Sequence, residues 1–174
     1  FSGARLLDVV DMEPGNPLRL SDLEEQIKEL KTFYLENGFL EMILANEKED
    51  LVNYNETNTQ ATLKFRIAEG PKVKVQSIRI EGNTLTKDYV VLKEIDFKEG
   101  DILTPSKISE SISRLQRLGH FASVEIRMVE EGTNISDRTV MIRLSERDPG
   151  AFNFGAGATS EGGLTLRGYT GIAY

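Results

Sequence analysis

"EGNTLTKDYVVLKEIDFKEGD" (Glu81–Asp101) is a short helical pattern set between two Glu-Gly turns. It holds no grouping of nucleophile, base and acid, so its interest is architectural. Thr86 suits a helix N-cap, with Leu85 and Val90 as a hydrophobic staple around it. On its N-terminal side, "KVKVQSIRIEG" alternates Ile78 and Ile80 with Arg79 and Glu81, the pattern of a half-buried strand. On its C-terminal side, Thr104-Pro105 opens a second helix, with Pro at the first helical position. Ile108, Ile112, Leu115 and Leu118 make the apolar face of that helix, and Gly119 ends it. Two alternating runs follow, Val124, Ile126 and Met128, then Val140, Ile142 and Leu144, separated by the turn "EGTNISD". Residues 73–148 therefore read strand–helix–helix–strand–strand. That order predicts an α+β unit in which a helix pair covers one face of a three-stranded sheet.

The preceding residues repeat the pattern. Ser21-x-x-Glu24 reads as a capping box, and Leu23, Ile27, Leu30 and Tyr34 follow at helical spacing up to Gly38. Then come the strand-like "FLEMILANE" and a run in which Leu63, Phe65 and Ile67 alternate with Lys64 and Arg66. Gly15 matches Gly100, and Gly38 matches Gly119. Residues 1–72 thus read as the same unit without its first strand. The tail differs. "FNFGAGATSEGGLTLRGYTGIAY" holds one acid and one base, many glycines, and two period-two runs around a "SEGG" turn. Two readings fit it, a transmembrane β-barrel hairpin or a soluble Gly-rich hairpin.

Composition removes several functions. With no cysteine among 174 residues, disulfide staples and thiolate chemistry are excluded. The net charge of −7 disfavours nucleic acid, whose phosphates require clustered Lys and Arg. Residues 1–72 hold 8 basic and 14 acidic side chains, a poor match for an anionic membrane surface. No apolar run reaches the roughly 18–20 residues of a membrane helix. The chain has no Met start and no signal-peptide pattern, and reads as a piece of something longer. His120 is the only histidine and follows a helix-ending Gly, which favours a turn role over metal or catalysis. The acids of Glu47–Asp50 lack EF-hand spacing and suit a solvated loop. Arg114, Arg117 and Arg127 suit either a basic face toward lipid headgroups or the wet side of a helix and strand.

The succession Glu81-Gly82-Asn83, Glu99-Gly100-Asp101, Arg117-Leu118-Gly119-His120-Phe121 and Val124 resembles a POTRA domain. "SERDPGAFNFGAGATSEGG" (Ser145–Gly163) resembles the passage from the last POTRA domain into the first barrel strand of the BamA/TamA family of outer-membrane assembly proteins. The resemblance implies tandem POTRA (β-α-α-β-β) domains, an incomplete one at 1–72 and a complete one at 73–148. The first hairpin of an outer-membrane β-barrel follows at 149–174. It implies a non-enzymatic insertion factor without cofactor or metal, held in the outer membrane by its barrel, with the POTRA part in the periplasm. Partners are unfolded outer-membrane β-barrel clients and accessory periplasmic lipoproteins.

The expected client edges are the second strands, Ile43–Glu47 and Ser123–Glu130. The foremost pairing residues are Ser123, Val124, Glu125, Ile126, Arg127 and Met128. Glu125 and Arg127 equally suit an edge guarded against pairing. Glu99 and Gly100 are the expected accessory-protein contact, against a plain solvated turn. Phe152, Phe154, Gly155 and Gly157 are the expected barrel-seam strand. Two other readings remain: a POTRA-guided secretion pore of a two-partner type, and the POTRA linker of a barrel-anchored enzyme.

Overall fold

A computed structural model describes residues 1–10, 12 and 14–147, and the backbone of 151–159 and 165–173. In the second unit the elements run β5 (Lys74–Glu81), α3 (Asp88–Glu94), α4 (Pro105–Arg117), β6 (Phe121–Met128) and β7 (Asp137–Glu146). The sheet order is β5-β7-β6. A short turn joins β6 to β7, so they pair antiparallel; β5 reaches β7 only through the helix pair, and runs parallel to it. Val140, Ile142 and Leu144 are buried on β7, as their alternation predicts, against Val91, Ile95, Leu103 and Leu115 from the helix side. Ser111 joins this core. Its hydroxyl donates to Lys107 O at 2.6 Å and accepts from Asp96 N at 2.8 Å, tying the exit of α3 to α4.

Helix starts divide by where their partners lie. Thr104 caps α4 as expected, its hydroxyl accepting from Lys107 N at 3.3 Å with Pro105 in the first turn. The capping box at Ser21 does not form. The helix α2 (Leu20–Glu36) has its N-cap two residues earlier, at Arg19, and the Ser21 hydroxyl donates to the neighbouring Asp22 carboxylate instead. Thr86 is not a cap either. Helix α3 starts after Lys87, Leu85 is 68% exposed and staples nothing, and the Thr86 amide is taken by Glu146.

The first unit contains α1 (Gly3–Val9), α2, and four short strands: β1 (Ile43–Leu44), β2 (Val52–Tyr54), β3 (Ala61–Leu63) and β4 (Ile67–Ala68). β1 pairs with β4 and β2 with β3, both antiparallel. The expected continuous strands through Glu47 and from Leu63 to Ile67 are therefore each interrupted. The cause is Asn46, which is buried. Its side chain donates to Lys64 O at 2.7 Å and Asp50 O at 3.2 Å, and accepts from Arg66 N at 2.9 Å. A side-chain amide thus replaces a backbone rung, and residues 47–50 bulge outward. Leu63, Phe65 and Ile67 stay half-buried across the break while Lys64 and Arg66 face solvent.

The two units meet around Lys72-Val73. Val73 N donates to Gly38 O at 2.8 Å, and Ser106 N, in the first turn of α4, donates to the Glu36 carboxylate at 3.1 Å. Glu41 of the first unit accepts from Arg138 and from Gly132 N of the second, at 2.5 and 2.6 Å. The Ser136 hydroxyl donates to Lys72 O.

Beyond Arg147, β8 (Ala151–Thr159) and β9 (Thr165–Ala173) form an antiparallel hairpin with Ala151 opposite Ala173 and Thr159 opposite Thr165. The "SEGG" turn and the join Asp148–Gly150 lie outside the described residues.

Candidate functional site

The sheet of the second unit has two edges, and they differ. The outer side of β5 is covered where it begins. Val75 N donates to Asp101 O at 2.9 Å, Gly100 N donates to Val75 O at 2.7 Å, and Leu103 N donates to Val73 O at 3.1 Å. The outer side of β6 has no strand against it among the described residues. Val129 N donates to Thr139 O, which sets the phase of the ladder. By the alternation of an antiparallel pair, Ser123, Glu125 and Arg127 direct their backbone groups at β7. Val124, Ile126 and Met128 direct theirs outward. Their side chains pack against the core, so the open edge is backed by apolar groups from one face.

The charges of β6 lie over the other face. Arg127 pairs with Glu125, Arg143 lies 3.8 Å from Glu125, and Arg143 also lies 3.7 Å from Glu81 on β5. These ion pairs run across the strands on the solvent side and leave the outward N–H and C=O groups uncovered. The edge ends at Glu130, whose carboxylate accepts from Thr139 N at 2.8 Å and is held below its usual range by that bond. The other expected edge, Ile43–Glu47, is a two-residue strand that stops at Leu44.

Glu99 is exposed at the tip of a turn closed by Asp101 N donating to Lys98 O at 3.1 Å. Gly100, beside it, has the structural task of capping β5 through Val75. Phe152, Phe154, Gly155 and Gly157 lie on β8, opposite Ile172, Thr170, Tyr169 and Arg167. His120 is exposed, its ring edge-on to Phe121 and its carbonyl accepting from Arg147 N. Arg114 and Arg117 both pair with Glu110 on the exposed side of α4, an arrangement that suits the wet side of a helix. No cluster of His, Cys, Asp and Glu suited to a metal occurs among the described residues. No described helix is long and apolar enough to cross a membrane.

The spacing of residues gave no warning of Glu146, the last residue of β7. Its carboxylate accepts from the amides of Thr84, Leu85 and Thr86 at 3.0, 2.9 and 2.6 Å, and from the Thr84 hydroxyl at 2.6 Å. These donors lower its pKa to about 2. The clamp fastens the Asn83–Thr86 loop to the end of the sheet, immediately before the join to β8. The folded pKa is depressed from 4.5, so the stabilisation is present above about 4.5 and lost as pH falls toward 2. In urea melts, Glu146→Ala should be less stable than the wild-type chain at neutral pH, and the gap should close across that window. A gap of constant size would mean the carboxylate's charge is not what holds the loop.

The helices and small sheets of each unit, and the joint between the units, are those of tandem α+β modules. The sequence matches the POTRA family (surface antigen variable number repeat) over residues 1–70 and 73–147, and the chain belongs to that family. The similarity extends to a particular group of its members. The chain is 30% identical over 160 residues to the outer membrane protein assembly factor BamA of Neorickettsia risticii (strain Illinois), covering 84% of this chain and 21% of that protein. It is 31% identical over 102 residues to BamA of Neisseria meningitidis serogroup B, covering 59% of this chain and 13% of that protein. It spans about a fifth or less of the length of these relatives. Among solved structures, Haemophilus ducreyi BamA lacking POTRA domains 1–3 superposes with a TM-score of 0.68 at 27% identity, over 92% of this chain and 30% of that one. POTRA domains 3–5 of Haemophilus influenzae BamA share the fold, with a TM-score of 0.60 at 21% identity over 82% of this chain and 55% of that one.

Proposed function

We propose that this chain is the POTRA-to-barrel region of an outer-membrane assembly factor of the BamA type. Residues 1–72 and 73–148 act as periplasmic modules, and 149–174 form the first hairpin of the membrane barrel. The β6 edge accepts a strand of an unfolded β-barrel client by backbone pairing, which gives affinity with little demand on client sequence. The observation that carries this reading is the contrast between the two edges: β5 is covered where it begins, at Val73 and Val75, whereas β6 has no strand or loop bonded to its outer side along Val124, Ile126 and Met128 among the described residues. Uncovered strand edges otherwise invite aggregation. The apolar backing of β6 suits a client strand with one apolar and one polar face, the pattern of barrel strands.

A client delivered there passes to β8, where Phe152, Phe154, Gly155 and Gly157 provide the strand of a weakly closed seam. Glu99, exposed beside Gly100, serves as the contact for an accessory periplasmic lipoprotein. The work is alignment and needs no cofactor or catalytic residue.

A photo-crosslinker placed in turn at Ser123, Arg127 and, as a control, exposed Ser109 of α4 tests the reading. Adducts with unfolded outer-membrane proteins should form at the first two positions well above the control. Equal yields at all three would refute pairing at β6. In the same cells Glu99→Lys should reduce recovery of the accessory lipoprotein, and undiminished recovery would return Glu99 to an ordinary solvated turn.

A further inference from the structure

Arg138 is the largest fully buried side chain of the described residues, and it is charged. Each of its three side-chain nitrogens has a partner. Nε donates to Ile135 O at 2.8 Å, Nη2 to Thr133 O at 2.7 Å, and Nη1 to Glu41 at 2.5 Å, with the Met128 sulfur 3.9 Å away. Two of these bonds shape the β6–β7 turn from within. The third crosses to the first module, 97 residues away in sequence. The same Glu41 oxygen accepts from Gly132 N, so one carboxylate holds both the arginine and the turn that surrounds it. Glu41 is held below the usual carboxylate range, chiefly by the Arg138 bond.

A buried arginine is costly unless a partner compensates it, and here that partner belongs to the other module. The modules also meet at a second, separate place, where Glu36 accepts from Ser106 N and Gly38 O accepts from Val73 N. Leu40 packs against the core of the second module between the two. Rotation about Lys72-Val73 breaks the helix-side contact, the turn-side contact, or both. Lone surface ion pairs give no such constraint, because they pair in high dielectric and reform freely.

We propose that Glu41 and Arg138 lock the two POTRA modules into one rigid body, with Arg138 as the positioning residue that also fixes the end of the β6 edge. The inference does not depend on what the edge binds. Its consequence is that the first module is carried at a constant angle to β6, and any hinge in the region lies outside Lys72-Val73.

The chain has no cysteine, so nitroxides can be placed cleanly. Labels at Glu25 and Arg79, exposed positions in different modules, report the joint by double electron–electron resonance. Labels at Arg79 and Ser109, both in the second module, give the reference width. The inter-module distribution in the wild-type background should be as narrow as the reference; a broad or multimodal one would overturn the proposal whatever the variants do. Glu41→Ala should broaden the inter-module distribution and leave the reference pair unchanged. A distribution that stays narrow would show that this pair is not the lock. Should Glu41→Ala lose the circular dichroism of the native chain, Glu41→Gln carries the same test, since it keeps an acceptor for Gly132 and removes the charge from Arg138.

Discussion

Gly82→Ala should unfold the second module under conditions where the wild-type chain is stable. Gly82 leaves β5 with φ +87°, and a Cβ there would lie 1.9 Å from the carbonyl oxygen of Leu144. Leu144 belongs to β7, the central strand, which is held on both sides by ladder bonds and cannot retreat. The left-handed backbone costs an alanine about 1–2 kcal/mol and the collision roughly 1–3 more, a large share of a stability of order 5–15 kcal/mol. Gly100→Ala separates the two terms. Its φ is +88°, yet a Cβ there meets nothing within 4 Å. It should lose only the backbone part, about 1–2 kcal/mol. Equal urea midpoints for the two variants would contradict the close approach of Gly82 to β7.

Val140→Asp should be at least as severe. Val140 is fully buried in the middle of β7, opposite Ile78 on β5 and Met128 on β6. Removing the valine forfeits about 1.5–3 kcal/mol of apolar burial. A carboxylate in its place has no donor, and burying it unpaired costs several kcal/mol more, whether it stays charged or takes up a proton. Far-UV circular dichroism should lose the signal of the sheet. A native spectrum would mean that Val140 does not face the core and that the register of β7 is shifted by one residue.

What the sequence made legible was chemistry closed within a few residues. The alternation of Val140, Ile142 and Leu144 placed β7, and Thr104-Pro105 placed α4, because each signal and its cause lie in one segment. The order of elements in the second module, and the resemblance it carried, followed from such signals. Thr86 had the right residue type for a cap, and its amide was claimed by Glu146, 60 residues on. Asn46 stood inside an apparently continuous strand and interrupted it by bonding across the ladder to Lys64 and Arg66. Neither partner is visible in a local window.

Arg138 is a different case. It sits in phase with Val140, Ile142 and Leu144, so the period-two pattern, extended two residues back, puts it on the inward face. An inward arginine is a request for a buried partner, and Glu41 supplies it from the other module. Arg114 and Arg117 were likewise readable, at four and seven residues from Glu110, as one ion-pair group on a helix face. At the candidate site, the residues of β6 were legible as a strand. That β5 would be covered where it begins and β6 left open was not, because those partners come from the loop before α4 and from which strand takes the centre of the sheet.

The central claim is that the free edge of β6 pairs with a client strand, and backbone amide exchange tests it residue by residue. In the chain alone, the amides of Glu125 and Arg127, bonded to β7, should exchange slowly, and those of Val124, Ile126 and Met128 quickly. Addition of an unfolded peptide with the alternating pattern of a barrel strand should slow the second set and leave the first unchanged. Protection that appears elsewhere, or none at Val124, Ile126 and Met128, would contradict the account.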